Sequence, residues 1–244
     1  MKGVILAGGD ATRLYPLTLV TNKHLLPVYK KPLIYYGIER LIEGGVDRIM
    51  IVTSPRHSEN FVDLLGSGQN FLSKRDGKQV QIVYGIQNRP CGLANALYIA
   101  KDYIGNDNCA LYLGDNIIED DISKYIAHFK KGATVFLKEV KDPHRFGVAE
   151  IDASGKVLDI EEKPQKPRSN LAVVGLYLYD SSVFKKMIGQ PMSKRGEYEI
   201  TYLNNKYIEE GTLQSVYLKK EWFDAGTPDN LLEAGNFMRD KARK

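Results

Sequence analysis

Short apolar runs alternate with amphipathic stretches through the first half of the chain, and this alternation narrows the possible folds more than any other feature. Residues 4–7 are apolar and closed by Gly8-Gly9, as a buried strand is. After Pro32, the residues Ile34, Ile38, Leu41 and Ile42 recur on one helical face until Gly44-Gly45 ends it. Residues 49–53 read as a second buried strand, and Val80, Ile82 and Tyr84 alternate with polar neighbours as in a half-covered one. A helix is expected from Gly92, with Leu93, Ala96, Leu97, Ala100 and Ile104 inward. The strand Cys109–Leu113 follows, then a helix aligning Ile122, Tyr125, Ile126 and Phe129. Parallel strands need such crossovers, so this rhythm predicts an α/β fold with a doubly wound, mostly parallel, Rossmann-like sheet flanked by helices.

The second half is richer in strands. Residues 133–140, 148–151, 156–160 and 172–179 read as strands, with a turn at Ala153-Ser154-Gly155, and helices return at 197–210 and 228–239. An added β-rich lobe fits. At 244 residues, one domain is expected, with about 1–130 as one part, about 131–227 as a second and 228–244 as a C-terminal helix. Cys91 and Cys109 have no paired spacing, which argues against a disulfide framework or zinc site and suits a reducing, cytoplasmic setting. The opening apolar run is too short for a signal peptide, and no run approaches a membrane span. A net charge of +4 is spread among 30 acidic residues, so a solvated surface is favoured over nucleic-acid binding. The basic end, residues 239–244, reads as a frayed helix terminus.

Ligands of doubly wound sheets sit beyond the carboxyl ends of the strands, which directs attention to the loops there. The first reads Leu6-Ala7-Gly8-Gly9-Asp10-Ala11-Thr12-Arg13-Leu14. Paired glycines allow close backbone approach, exposed N–H groups suit phosphate oxygens, Thr12 adds a hydroxyl and Arg13 a bidentate fork. The loop is neither a Walker A loop nor a dinucleotide fingerprint, and a Gly-Gly after a strand is by itself more often a plain turn. Likewise Asp115, just after an apolar strand, and Asp224, close after the only Trp, read alone as turn or cap residues. Lys23 reads alone as a surface lysine, and Glu162-Lys163 as an exposed charged turn. The run Glu119-Asp120-Asp121 is expected to be a solvated helix start.

The longer run, residues 6–18 continued by Asn22-Lys23-His24-Leu25-Leu26-Pro27-Val28 and Lys31-Pro32-Leu33-Ile34, resembles the signature of the sugar nucleotidylyltransferase family. Further matching segments include Gln87 with Gly92-Leu93-Ala94, Leu113-Gly114-Asp115-Asn116, Arg145-Phe146-Gly147-Val148, Glu161-Glu162-Lys163-Pro164, Gly175-Leu176-Tyr177, Arg195-Gly196-Glu197 with Glu199-Ile200-Thr201, and Trp222-Phe223-Asp224-Ala225-Gly226-Thr227. They cover nearly the whole chain in order and look most like the glucose-1-phosphate thymidylyltransferases. Asp10-Ala11 stand where bacterial members have Ser-Gly, His24 where they have Gln, Phe146 where Tyr is common and Val174 where Thr is common.

The resemblance implies attack by the phosphate of glucose-1-phosphate on the α-phosphorus of dTTP, or alternatively UTP, with release of pyrophosphate. It implies Mg²⁺ held by Asp115 and Asp224, Arg13 stabilising the α-phosphate and Lys23 binding phosphate oxygens. Nucleotide contacts are expected from Leu6, Gly8, Gly9, Thr12, Arg13, Gln87, Gly92 and Asp115, and sugar-phosphate contacts from Leu93, Gly147, Glu162, Lys163, Val173 and Tyr177. A homo-oligomer is compatible with it. No nucleophile–base pair is visible, which agrees with direct displacement. Two rival readings stand beside this one: another sugar-1-phosphate, and a non-catalytic subunit that binds nucleotide sugars. The latter should have lost Arg13, Lys23 or a metal aspartate. Few residues follow Leu231-Leu232-Glu233-Ala234-Gly235, so a short form without a second nucleotide site is expected, inhibited by dTDP-sugars only through competition.

Overall fold

A computed structural model describes residues 1–9 and 11–243. The elements run β1 Lys2–Ala7, β2 Pro27–Val28, β3 Lys31–Pro32, α1 Leu33–Glu43, β4 Arg48–Thr53, α2 Ser58–Leu65 and β5 Gln81–Ile86. Next come α3 Leu93–Ile99, α4 Lys101–Ile104, β6 Cys109–Leu113, β7 Asn116–Ile118, α5 Ser123–His128 and β8 Ala133–Glu139. The chain continues through β9 Gly147–Ile151, β10 Val157–Glu162, β11 Leu171–Tyr179, α6 Val183–Lys186, α7 Ile200–Glu209, β12 Leu213–Tyr217, β13 Trp222–Asp224 and α8 Pro228–Lys241.

The central sheet runs β10-β9-β11-β6-β1-β4-β5, with β8 also on β11 and β12 on β8. Strands β6, β1, β4 and β5 are mutually parallel, as their helical crossovers require. Strand β11 pairs antiparallel with β6, β8 and β9, and β12 joins β8 in parallel, which builds the β-rich lobe onto the same sheet. Side chains alternate faces along β1. Val4 and Leu6 join one core with Ala94, Leu97, Ile200 and Leu203 from α3 and α7. Ile5 and Ala7 join the opposite core with Ile34, Ile38 and Leu41 of α1 and with Phe61 and Leu65 of α2. Each fully buried Leu or Ile contributes about 1.5–3 kcal/mol, so both faces of the sheet are strongly held.

Some expectations shift for identifiable reasons. The helix from Gly92 is broken: Ala100 closes α3 and α4 follows from Lys101, its last carbonyls, Tyr103 and Ile104, accepting from Lys2 Nζ. The helix expected at 197 starts at Ile200, because Tyr198 is held extended by bonds between its N–H and the Cys91 carbonyl and between its carbonyl and the Ala94 N–H. Within the acidic run only Asp121 starts a helix, accepting from Ser123 N–H. Asp120 instead binds the backbone of Lys219 and Lys220, and the little-exposed Glu119 pairs with Lys241. That pair and buried Met238 hold α8 down to Lys241, so its basic end is docked rather than frayed through this point.

The feature that positions the site is the split of β11 at Gly175. Its residues 176–179 lie beside β6, while its start turns toward β9, with a register shift against β8 between Val173 and Tyr177. Into this opening comes the turn after β6. A Cβ on Gly175 would lie 2.6 Å from the Asn116 side chain and 2.7 Å from Leu113 Cβ, so only glycine fits there.

Candidate active site

Two cavities open beyond the carboxyl ends of β1 and β6, on either side of Asp115. The first, of about 180 Å³, is lined by Leu6, Gly8, Gly9, Lys23, His24, Gln87, Gly92, Leu93, Asp115 and Glu197 among others. The second, of about 150 Å³, is lined by Arg13, Leu93, Asp115, Gly147, Glu162, Lys163, Val173, Tyr177 and Asp224, with Asn116, Arg145, Phe146, Thr201 and Trp222. Thus the residues expected to meet nucleotide and those expected to meet sugar phosphate fall largely into separate cavities that share Leu93, Leu113 and Asp115. Two expected nucleotide contacts depart from this: Arg13 lines only the second cavity, and Thr12 lines neither. Thr12 is exposed in the short 3₁₀ turn Thr12–Leu14. Asp10 lies outside the described residues.

The loop after β1 is fastened from below. Asn22 Nδ2 donates to the Ala7 carbonyl, and Asn22 Oδ1 accepts from the backbone N–H of His24. That oxygen can only accept, so His24 Nδ1, 2.6 Å away, must donate to it, and the remaining ring nitrogen carries a lone pair. Burial, reinforced by the Lys23 charge, lowers the His24 pKa to about 3, which keeps the ring neutral. Gln87 is oriented in the same way: its amide N–H groups go to Asn95 Oδ1 at 3.0 Å and the Gly92 carbonyl at 3.4 Å. Its oxygen remains on the cavity side, near Gly8.

Asp115 and Asp224 come together through a two-stranded ribbon. β13 pairs antiparallel with β7, setting Asp224 opposite Asn116, and Ala225 N–H donates to the Asp115 carbonyl at 2.9 Å. Asn116 braces the ribbon: its amide donates to Asp115 Oδ1 at 2.8 Å, while its oxygen accepts from Trp222 Nε1 at 2.6 Å and from Gly175 N–H at 3.0 Å. The two carboxyls titrate apart. Burial works to raise Asp115, but the Lys23 ammonium bonded to it, with Asn116, holds it well below the ordinary range. Burial and the Asp115 charge raise Asp224, against the pull of Lys23, Arg13 and Arg145. At Gly226 a Cβ would approach Arg13 Nη2 to 2.8 Å and Asp224 Oδ1 to 3.1 Å, so glycine here lets the guanidinium lie beside the carboxylate.

Among the described residues no set of three His, Cys, Asp or Glu side chains forms a closed metal cage. Two little-exposed carboxylates, the charge of Asp115 raising Asp224, suit a hard divalent cation that completes its shell with water and substrate phosphate, so the donor set fits such an ion. On the sugar side, Glu162 is pushed up to about 7 by burial, with Lys163 and Arg195 opposing and Glu199 and Glu197 adding to the rise. Lys163, at a left-handed φ of 46°, places Nζ 3.9 Å from Glu162 Oε1. Cys91 has no adjacent base, and its carbonyl serves the clamp to Tyr198.

Several side chains here lie outside the candidate set read from sequence: His24, Asn116, Arg145, Arg195, Thr201 and Trp222. Each stands within a matching segment, so position alone could have flagged it. Its direction into the cleft could not be read locally. Arg195, for instance, reaches the site through Glu162, 3.7 Å away, and is held by Glu197 and Glu199.

This fold and cleft define a class, and the chain belongs to the nucleotidyl transferase family, whose model matches residues 2–241. Curated relatives named glucose-1-phosphate thymidylyltransferase include one from Neisseria meningitidis, 44% identical and covering 98% of this chain and 83% of its own, and one from Mycolicibacterium smegmatis, also 44% identical. A Bacillus anthracis structure described as that enzyme, solved with sucrose, superposes with a TM-score of 0.91 at 46% identity, covering 98% of this chain and 96% of its own. A UDP-glucose pyrophosphorylase at 24% identity and TM-score 0.86 shares the fold. No described helix is long and apolar enough to cross a membrane.

Proposed function

We propose that the chain transfers a thymidylyl group from dTTP to glucose-1-phosphate, giving dTDP-glucose and pyrophosphate. The observation that carries this reading is that Asp115 lines both cavities, so two anionic ligands placed in them meet at one carboxylate flanked by cations. We read the chain as a single domain, with residues to about 130 serving the nucleotide and about 131–227 the sugar phosphate.

In this reading an oxygen of the sugar phosphate forms a bond to the α-phosphorus while the bond from that phosphorus to the pyrophosphate oxygen breaks. Positioning and charge neutralisation supply the catalysis, since the displacement needs no protein nucleophile. Lys23 binds the nucleotide phosphates, Arg13 reaches the α-phosphate from beside Asp224 in the second cavity, and Lys163 binds the phosphate of the sugar. Mg²⁺, held by Asp115 and Asp224, would supply further charge neutralisation at phosphate oxygens. Gln87 offers an acceptor oxygen to the cavity because its N–H groups are already engaged. Thymine and uracil carry an N3–H that can donate to it, whereas cytosine carries a lone pair there. Glu162 and Tyr177 line the sugar side, with Leu93, Gly147 and Val173 shaping it.

A pyrophosphate-release assay over dTTP, UTP, dCTP, ATP and GTP with a panel of sugar-1-phosphates tests this. Release is expected with dTTP and glucose-1-phosphate, abolished by excess chelator, weaker but measurable with UTP, which adds a 2′-hydroxyl and lacks one methyl, worth about 10–200-fold in an apolar pocket, and poor with dCTP and purines. Turnover in excess chelator would remove the metal from the reading. No turnover with any sugar phosphate would favour a non-catalytic binding protein.

A further inference from the structure

Arg145 ends the 3₁₀ turn Pro143–Arg145 that leads into β9, and its side chain lines the second cavity together with Asp115, Lys163 and Asp224. A stack pins it: the guanidinium lies over the Phe146 ring at 5.6 Å, and that ring sits edge-on to Trp222 at 5.1 Å. Its Nη2 is buried and has no hydrogen-bond partner among the described residues. The Asp224 Oδ2 atom lies 3.8 Å away, beyond hydrogen-bond reach. A buried cationic N–H group without an acceptor is unfavourable, and such groups persist where a ligand completes them. Other cations of the cleft are already engaged: Lys23 by Asp115, and Arg195 by Glu197 and Glu199.

Asp224 is a poor permanent partner for Arg145 if a divalent cation takes its oxygens. The missing acceptor must therefore arrive with a ligand. Arg13 comes from the β1 loop and flanks Asp224 at Gly226, whereas Arg145 comes from the lobe that carries Gly147 and Lys163. Resting on the function proposed above, we infer that Arg145 is a further substrate-binding residue, donating from Nη2 to a phosphate oxygen of the attacking sugar phosphate. Its planar fork suits a phosphate, and its stack on Phe146 aims that fork without a protein carboxylate.

Calorimetry with the full chain, Mg²⁺ and the α,β-methylene analogue of dTTP tests this without turnover. Arg145→Gln should raise the Kd for glucose-1-phosphate about 10–100-fold, the worth of one charge-assisted hydrogen bond. Binding of glucose itself, of the dTTP analogue and of Mn²⁺ read by electron paramagnetic resonance should stay at wild-type levels, as should Tm. Arg145→Lys, which keeps the charge and loses the fork, should fall between the two. An unchanged Kd for glucose-1-phosphate overturns the inference. So does an equal loss for glucose, which would mark a hydroxyl contact, or a loss confined to Mn²⁺, which would make Arg145 a support for Asp224. Should Arg145→Gln fail to fold, Arg145→Lys decides by the same readings. A wild type that binds glucose-1-phosphate but releases no pyrophosphate defeats the proposed activity and leaves this contact standing.

Discussion

Glu162 is the cleft residue whose charge depends most on ordinary pH. Burial pushes it up to about 7, and Glu199 and Glu197 add to this, while Lys163 and Arg195 pull it down. A carboxyl raised in the fold holds a proton that the unfolded chain, at its ordinary value of 4.5, has released. Its contribution to stability is therefore complete below the unfolded value and is lost as pH rises through about 7. Binding runs the other way, because only the ionised form accepts from two sugar hydroxyls. The KM for sugar phosphate is expected to fall as pH rises through about 7, and Glu162→Gln should remove that inflection. The ligand's own phosphate loses a proton near pH ~6, so the comparison of variant with wild type carries the test. A Glu162→Gln profile with the same inflection would assign it elsewhere.

Among the elements, the β7–β13 ribbon decides the geometry of the site, and Asn116 decides the ribbon. Replacing Asn116 with Ala strands Trp222 Nε1 and Gly175 N–H without their acceptor and frees the Asp115 carboxylate from its amide. Leaving two buried donors unpaired costs about 2–5 kcal/mol. At roughly 2–4 °C per kcal/mol for a chain of this size, Tm should fall by roughly 5–20 °C. The kcat should fall with it, since the Asp115 carboxylate loses the amide that orients it and Trp222, two residues before Asp224, loses its anchor. A Tm equal to wild type in calorimetry would show that these bonds are dispensable. This ribbon also marks the limit of what sequence could tell. Strands β1, β4 and β6 were legible because parallel strands, covered on both faces, leave unbroken apolar runs. The three-residue strands β7 and β13 leave no period to read, and their tie joins residues 106 apart. Helix α2 was missed although Phe61 and Leu65 share one face, because polar residues dominate its first turn. Conversely, the helix expected at 197 yielded to the clamp between Tyr198 and the Gln87 loop. Asp115, Asp224, Arg13 and Lys23 were legible as a motif series. Arg145 and Arg195 were not, since what they face is set by the meeting of distant strands.

At the scale of the whole molecule, the two cavities open along one sheet. Strand β11 runs beside β6 with residues 176–179 and beside β8 and β9 with its remainder, so it is shared by both halves of the cleft. The core of β1, β6 and α3 is continuous with that of β8, β11 and α7. Removing the second half would bare Leu111 on β6 and Ala94 and Leu97 on α3, side chains now fully or almost fully buried. Neither half can therefore lose its structure without exposing the other's apolar face, and a single cooperative unfolding transition is expected. Ligands must then stabilise the whole through either cavity. A ligand at one hundred times its Kd adds about 2.7 kcal/mol to the folded state. For a domain of this size that corresponds to a rise in Tm of roughly 5–11 °C. Scanning calorimetry with Mg²⁺ and dTTP, and separately with dTDP-glucose, should show one transition displaced upward as a unit. Two transitions, with dTTP moving only one of them, would mean that residues to about 130 fold and bind independently, and the single-domain reading would fall.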